Sequence, residues 1–381
     1  MQAPKYEFGG PWGTGAMMLG FPAFIYWLWL SLTFNHGQPF IPNSPTTISS
    51  AWRYSLGAAA PSLAAATFHI TYTAYQWALA QWLPGPTVHT QVDTEDPHGE
   101  QHAYVCNAPA AWYITLVLAA LMHISGVFDL VWIIDHFGSL MSTGAHTSPI
   151  PSFPTHACHA FSTFPPRTLT PRAGILLSLA ASIVLHAWAV RHASPADAHA
   201  ATGNAVYDTF MGILLHPRLG RVHLKMLFDV RVPWALLFLI STSAAIRQYR
   251  DLGRVTPQLC FMPLAHFLYA NATHKGEEHV PCTWDIMHER FGFMLLFWNA
   301  AGIPFSYSAT SLYLLHNRPL SHHWAFTAAV YVLMLVAYYV WDTANCQKSV
   351  FKAQQAGSWD PDRWRAPPQV RTQHTACPVE P

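Results

Sequence analysis

The sequence predicts an all-α, polytopic helical membrane protein with about eight or nine transmembrane helices. Three observations lead there. Only 10% of the 381 residues are charged while 51% are hydrophobic, whereas soluble domains carry about 25% charged residues. Uncharged runs recur at roughly the 20 residues that a helix needs to cross a bilayer. Finally, Trp and Tyr gather near the polar end of the first of these runs, where interfacial anchors sit.

The same composition narrows the function classes. Twenty basic and 19 acidic residues give a net charge of +1, and no finger, homeodomain or arginine-rich pattern is present, so nucleic acid is not an expected partner. The six cysteines, at 106, 158, 260, 282, 346 and 377, form no CxxC pair. A chain of this size needs no disulfide framework, and they read as buried or free thiols. Residues 1–15 hold Lys5, Glu7 and a PWGTG turn rather than the basic and short apolar regions of a cleaved signal. The first transmembrane helix is therefore expected to direct targeting.

In chain order, residues 15–34 form the first span. Residues 55–83 lack Asp, Glu, Lys and Arg and read as one long or tilted span kinked at Pro61, with small residues for close helix packing. Residues 84–107 carry Asp93, Glu95, Asp96 and Glu100 and no basic residue, the mark of a solvent loop. The remaining loops are too evenly charged for the positive-inside rule to set the orientation. An apolar run at 110–126 continues through 127–135, where Asp129 and Asp135 read either as interfacial caps or as intramembrane functional groups. Residues 143–171, with six prolines and no helical period, look like a low-complexity insert. Residues 173–190 return to span length.

A polar belt follows, made of Asp208, His216, Arg218, Arg221, Lys225, Asp229 and Arg231. It reads as a cytoplasmic loop, or alternatively as a basic surface for an anionic ligand such as a dinucleotide phosphate. Spans at 232–246 and 257–272 come next, the second with His266 and Asn271 inside it. A lone His on an apolar face is more often a packing residue than a catalyst. Then Lys275, Glu277, Glu278, Asp285, His288, Glu289 and Arg290 crowd together before an uncharged run at 291–315. This second knot is where chemistry is expected. The last span is 324–341, and residues 357–381 form a polar, Pro-rich tail. The organisation is thus one membrane domain over 1–355, interrupted at 143–171, with a tail from 356. No repeat of spans suggests a transporter.

Residues 203–218, GNAVYDTFMGILLHPR, resemble the first signature of the sterol reductase family, carried by Gly203, Tyr207, Asp208, Phe210, Gly212, Leu215, His216, Pro217 and Arg218. KMLFDVRVPW, AHFLYANATHKGEE, TWDIMHERFGFMLLFWNAAGIPFSY, AYYVWDTANCQKSVFK, EFGGPWGTGAMMLGFPA and FDLVWIIDHFGSLM resemble its branch that acts on the sterol side chain. The resemblance covers residues 7–141 and 172–355. It implies a multi-pass enzyme of the endoplasmic reticulum membrane in which NADPH reduces the C-24(28) double bond of a sterol, the last step of ergosterol synthesis. The sterol is expected to enter from the bilayer. By the same resemblance, Lys348 of the QK motif meets the NADPH phosphates, as does Lys352 where the family has Arg, and Arg218 is a further cofactor contact. A hydride donor and an acid must flank the alkene. The candidates for the acid are Glu277, Glu278, Asp285 and Glu289, then His288 and Tyr307; no metal is expected. Family members carry a second signature, HRxxRDxxxCxxKYG, after the QK motif, and its absence here implies a C-terminally truncated member. Two alternatives stand beside this reading: a reductase of the sterol ring at C-14 or C-7, and a non-catalytic sterol-binding membrane protein.

Overall fold

The computed structural model describes residues 6–41, 62–89, 102–142, 174–193, 197, 201–317 and 322–355. It divides into a first unit, residues 1–320, and a second, residues 321–381. The insert at 143–171 and the tail from 356 lie outside the described residues.

The first unit opens with α1 (Gly10–Phe34), 25 residues long. It starts five residues earlier than the apolar run, because PWGTG forms its first turn rather than a loop. Pro11 sits where its missing N–H costs nothing, and Gly9, at φ 75°, turns the chain into the helix. At about 1.5 Å per residue α1 is longer than a ~30 Å hydrocarbon core. α2 (Leu63–Trp82) begins behind Pro61, where the Ser62 hydroxyl accepts from the Ala65 amide at 3.0 Å. The expected loop at 84–107 contains a two-stranded ribbon of β1 (Thr87–His89) and β2 (Ala103–Val105).

α3 (Ala108–Ile124) does not run on to residue 135. Gly126, at φ 75°, turns the chain, and α4 (Val131–Asp135) and α5 (Phe137–Ser142) follow as short pieces. Asp129 caps α4 by accepting from the Val131 amide, and it pairs with Arg250 while Asp135 pairs with Arg247. All four side chains are substantially exposed, and of the two carboxylates it is Asp129 that caps a helix, while Asp135 is the last residue of α4.

After α6 (Gly174–His192) comes the short α7 (Ala205–Met211), then a hairpin of β3 (Arg218–Leu219) and β4 (Val222–His223). A helical rod then begins at Leu224, loosens into a π-helical turn over Leu227–Arg231 and continues as α8 (Val232–Leu252). Gly253, left-handed at φ 69°, ends it. α8 is the centre of the unit: Leu236, Leu237 and Ile240 are fully buried, and it packs against α4 and α9 (Pro257–Lys275). Inside this packing the Ser241 hydroxyl meets His266 Nδ1 at 2.5 Å and Ser311 Oγ at 3.1 Å, polar contacts that bind three apolar helices at one depth. His266 is therefore a packing residue.

A 3-10 turn at Glu277–Cys282 leads into α10 (Trp284–Met287). The uncharged run at 291–315 is not one helix. It comprises α11 (Phe293–Phe297), a second π-helical turn at Trp298–Gly302, α12 (Ile303–Tyr307) and α13 (Ala309–His316). Pro304 lacks the amide a regular helix would use, which fits a break there. The second unit is α14 (Trp324–Gln355).

Among the described residues, Gly10–Phe34 and Trp324–Phe351 are long and apolar enough to cross a membrane, and Ala108–Ile124 is a shorter apolar helix. Cys106, Cys260 and Cys346 are free thiols.

Candidate active site

The segment 203–218 is a compact structural device. Asp208 on α7 accepts from the Thr202 amide, the Thr202 hydroxyl and the Gly203 amide, at 2.8 to 3.0 Å, and so folds the loop back on the helix it belongs to. Immediately after the last residue of α7, a backbone-to-backbone contact forms. Gly212, at φ 90°, lies so close to Phe291 and Gly292 that a Cβ on either glycine would come within 2.2 to 2.6 Å of the other strand of backbone. The Phe291 amide donates to the Leu214 carbonyl at 3.0 Å, and Arg290 donates to the Ile213 carbonyl at 3.2 Å. Thus the first polar belt is stitched to the second.

Two buried cations complete the stitching. Lys225 Nζ donates to the carbonyls of Asp285, Ile286 and Glu289, at 2.6 to 2.9 Å, and so caps α10. Burial lowers this ammonium to about 7, with Glu289, Asp285 and Asp229 opposing. Arg231 donates to Glu277 Oε1 at 2.5 Å, with side chains 3% and 1% exposed. Glu277 Oε2 accepts from the Ala108 amide at 2.6 Å, at the positive N-terminus of α3. Burial pushes the Glu277 carboxyl up, while Arg231 and that amide pull it back.

Between these anchors lies a small pocket with room for about one water molecule, lined by Lys225, Asp229, Asp285, Ile286, Phe291, Leu295 and Asn299. Both π-helical turns reach it, one through Asp229 and the other through Asn299. Such turns widen a helix by one residue and recur at functional sites because they re-aim a side chain. Asn299 is buried and donates to the Leu295 carbonyl at 3.0 Å, but its Oδ1 has no hydrogen-bond partner. A buried acceptor of that kind is costly unless an occupant satisfies it. Asp229 is pushed up to about 6 by burial and by Asp285, against the pull of Lys225. Its backbone carbonyl accepts from the Trp234 indole at 2.8 Å, and Trp234 stacks at an angle on Tyr269, with ring centroids 4.6 Å apart. Tyr307 lies beyond, 6.2 Å from Trp234 and 6.4 Å from Trp298. The result is a small pocket with an apolar side and an ionisable side, next to an aromatic group.

The candidate acids distribute unequally around it. Asp285 lines the pocket and is solvent-exposed. Glu277 has both oxygens engaged and is set away from the lining. Glu289 is half-buried, and its carboxyl is raised by burial and by Asp285 and Glu7, with Lys225 and the Trp284 side chain opposing. Glu278 is half-buried on the 3-10 turn, and His288 is exposed and stacked on Trp284, with ring centroids 4.2 Å apart. Tyr307 is 46% exposed. Of the cofactor candidates, Arg218 donates to the Ala103 carbonyl at 2.9 Å and lies over the Tyr104 ring, while Lys348 is exposed on α14. Lys352 is one turn further along that helix, and its side chain lies outside the described residues. In the sequence Asp229 and Lys225 stand out only as members of a charged belt. Asn299 is not among the sequence candidates; its signal is an Asn inside an otherwise apolar run.

Comparison with known proteins agrees with this picture. The model of the ergosterol biosynthesis ERG4/ERG24 family matches residues 2–157 and 169–375. The chain is 36% identical over 366 residues to Delta(24(24(1)))-sterol reductase erg4A of Aspergillus fumigatus, covering 93% of this chain and 69% of that one. It is 35% identical to the Delta(24(24(1)))-sterol reductase of Gibberella zeae, covering 93% of this chain and 55% of that one. Against the Delta(14)-sterol reductase of Methylotuvimicrobium alcaliphilum the figures are 28% identity over 95% of this chain and 74% of the relative.

Proposed function

The chain belongs to the ergosterol biosynthesis ERG4/ERG24 family, and from that premise we propose that it uses NADPH to reduce the C-24(28) side-chain double bond of a sterol. The observation that carries this reading is the gradient of similarity. Over nearly the same share of the chain, identity is 35 to 36% to two side-chain reductases and 28% to a ring reductase.

A nicotinamide, when bound, supplies the hydride. Within the first unit the residues present fit such a group in one respect: Asn299 Oδ1 is an unsatisfied acceptor that a carboxamide N–H would complete. By the family resemblance alone, Lys348 and Lys352 of the second unit are proposed as phosphate contacts. Arg218, whose Nη2 donates to the Ala103 carbonyl, keeps further N–H donors for an anion. The protein's own part is to hold the sterol side chain, exclude water from it and deliver a proton.

The substrate is nearly all apolar and enters from the bilayer. A multi-pass embedding of about eight or nine spans in the endoplasmic reticulum membrane is part of this reading; among the described residues Gly10–Phe34 and Trp324–Phe351 have full spanning length and apolarity. A ring reductase is the second reading, favoured by the 28% identity to a Delta(14)-sterol reductase.

Complementation of a yeast strain lacking its C-24(28) reductase, with sterols read by mass spectrometry, separates the two. The expected result is consumption of the 24(28)-unsaturated precursor. Persistence of that precursor with confirmed expression, or conversion of a ring-unsaturated sterol instead, overturns the proposal.

A further inference from the structure

We propose that the pocket between the two π-helical turns is a single-water site, and that its water joins Asp229 to the exposed Asp285 as a proton path between interior and solvent. The assignment does not rest on the reductase reading. Three observations carry it. The pocket has room for about one water molecule, and Asp229, Asp285 and Asn299 all line it. Asn299 is 3% exposed, and its Oδ1 has no hydrogen-bond partner although its Nδ2 donates to the Leu295 carbonyl. The Asp229 carboxyl likewise has no hydrogen-bond partner among the described residues, whereas its backbone carbonyl accepts from the Trp234 indole.

A buried water makes about two to four hydrogen bonds, and these three side chains supply them. With Asp229 protonated, the water accepts from its O–H and donates to Asn299 Oδ1 and to the Asp285 carboxylate. With Asp229 ionised, it donates to Asp229 and Asn299. A cation is the poorer occupant, because Lys225 already places an ammonium on the lining. The three N–H donors of that ammonium are spent on the carbonyls of Asp285, Ile286 and Glu289, which leaves the water to the acids and the amide. The charged and titratable groups around Asp229 are Lys225 on its own rod, Asp285 on α10 and Tyr269 on α9. Burial and Asp285 hold the Asp229 carboxyl up at about 6, against the pull of Lys225, so it changes charge close to neutral pH. A carbonyl oxygen has two lone pairs, so this water and a carboxamide contact on Asn299 do not exclude each other.

Along this path the Asp229 O–H bond breaks as its proton passes to the water oxygen, and one of the water's own protons passes to the Asp285 carboxylate. The water is regenerated and nothing is oxidised or reduced. Negative charge moves from Asp285 to Asp229, and Asp285, exposed on α10, exchanges its proton with solvent. The reverse sequence reloads Asp229.

The test uses the purified full-length protein with no sterol and no cofactor. A cryo-EM or crystallographic map that resolves waters is expected to show one peak in the pocket, about 2.5–3.0 Å from Asn299 Oδ1 and from the nearer carboxyl oxygens. Infrared titration of the native chain and of Asp229→Asn identifies the protonated-carboxyl band of Asp229 as the one that the variant lacks. That band is expected to shift promptly on transfer to D₂O, because the water exchanges with solvent. It is expected to move to higher frequency in Asn299→Leu, which removes the acceptor that holds the water and so frees the carboxyl of its hydrogen bond. If the Leu variant does not fold, the native map and the native D₂O shift decide the matter. An empty pocket, a peak with the about 2.3–2.6 Å contacts of a bound cation, or an Asp229 band that stays in place in D₂O or in a folded Asn299→Leu overturns the assignment.

Discussion

Glu277 and Asp229 show how differently two carboxylates 48 positions apart can be used. Glu277 joins a guanidinium and a helix N-terminus in the interior, and its charge is consumed in holding three segments together. Removing one partner of such a buried pair leaves the other uncompensated, at about 3–5 kcal/mol. Glu277→Gln is therefore expected to lower unfolding stability by about that much, read as a large drop in thermal midpoint in detergent. The double change Arg231→Met with Glu277→Leu is expected to recover much of the loss, and a single variant of native stability would contradict the structural role. At this scale the sequence is only partly legible. The crowding of acids at 277–289 marks a polar knot, but nothing in its spacing distinguishes an acid that pairs from one that faces a pocket. That distinction is made by Arg231 and by the Ala108 amide, 46 and 169 positions away.

Among the elements, the close approach of Gly212 and Gly292 is what brings the loop after α7 against the start of α11. A Cβ at Gly292 would stand 2.2 Å from the Gly212 nitrogen, with only backbone to yield, and Gly212 also sits at φ 90°. Gly212→Ala and Gly292→Ala are each expected to cost about 3 kcal/mol or more, at the upper end of overpacking penalties. Fluorescence-detected size exclusion should show loss of the monodisperse peak. Gly126 is the useful contrast. Its φ is 75°, but nothing lies within 4 Å of its would-be Cβ, so Gly126→Ala is expected to cost only the ~1–2 kcal/mol of a left-handed residue. Equal losses at the three sites would contradict this account. The long helices α1, α2, α3, α6, α8, α9 and α14 were readable from apolar length, whereas the breaks within 127–142 and 291–315 and the two π-helical turns were not. A π turn inserts one residue into an apolar run without changing its composition, and it arises from what the helix packs against. The PWGTG start of α1 was misread for the opposite reason: Gly and Pro punctuate loops in general, yet Pro is also favoured in a helix's first turn.

For the molecule as a whole, composition predicted a helical chain and the structure is built from helices, with two short strand pairs. Membership of the sterol reductases was legible in residues 203–218 and in the segments around them, and the family match bears it out. The pocket was not legible, because its lining comes from positions 225–229, 285–291 and 295–299, brought together by carbonyls that any sequence possesses. The central claim is that a hydride from the nicotinamide and a proton from the protein meet across the side-chain alkene. Its most direct test is single-turnover reduction of a 24(28)-unsaturated sterol by the purified protein, first with deuterated NADPH in H₂O and then with unlabelled NADPH in D₂O, the label being located by mass spectrometry and NMR. The account predicts cofactor deuterium at C-24 and solvent deuterium on the former terminal alkene carbon. Cofactor label on a ring carbon, or no transfer from NADPH to the sterol at all, would contradict it.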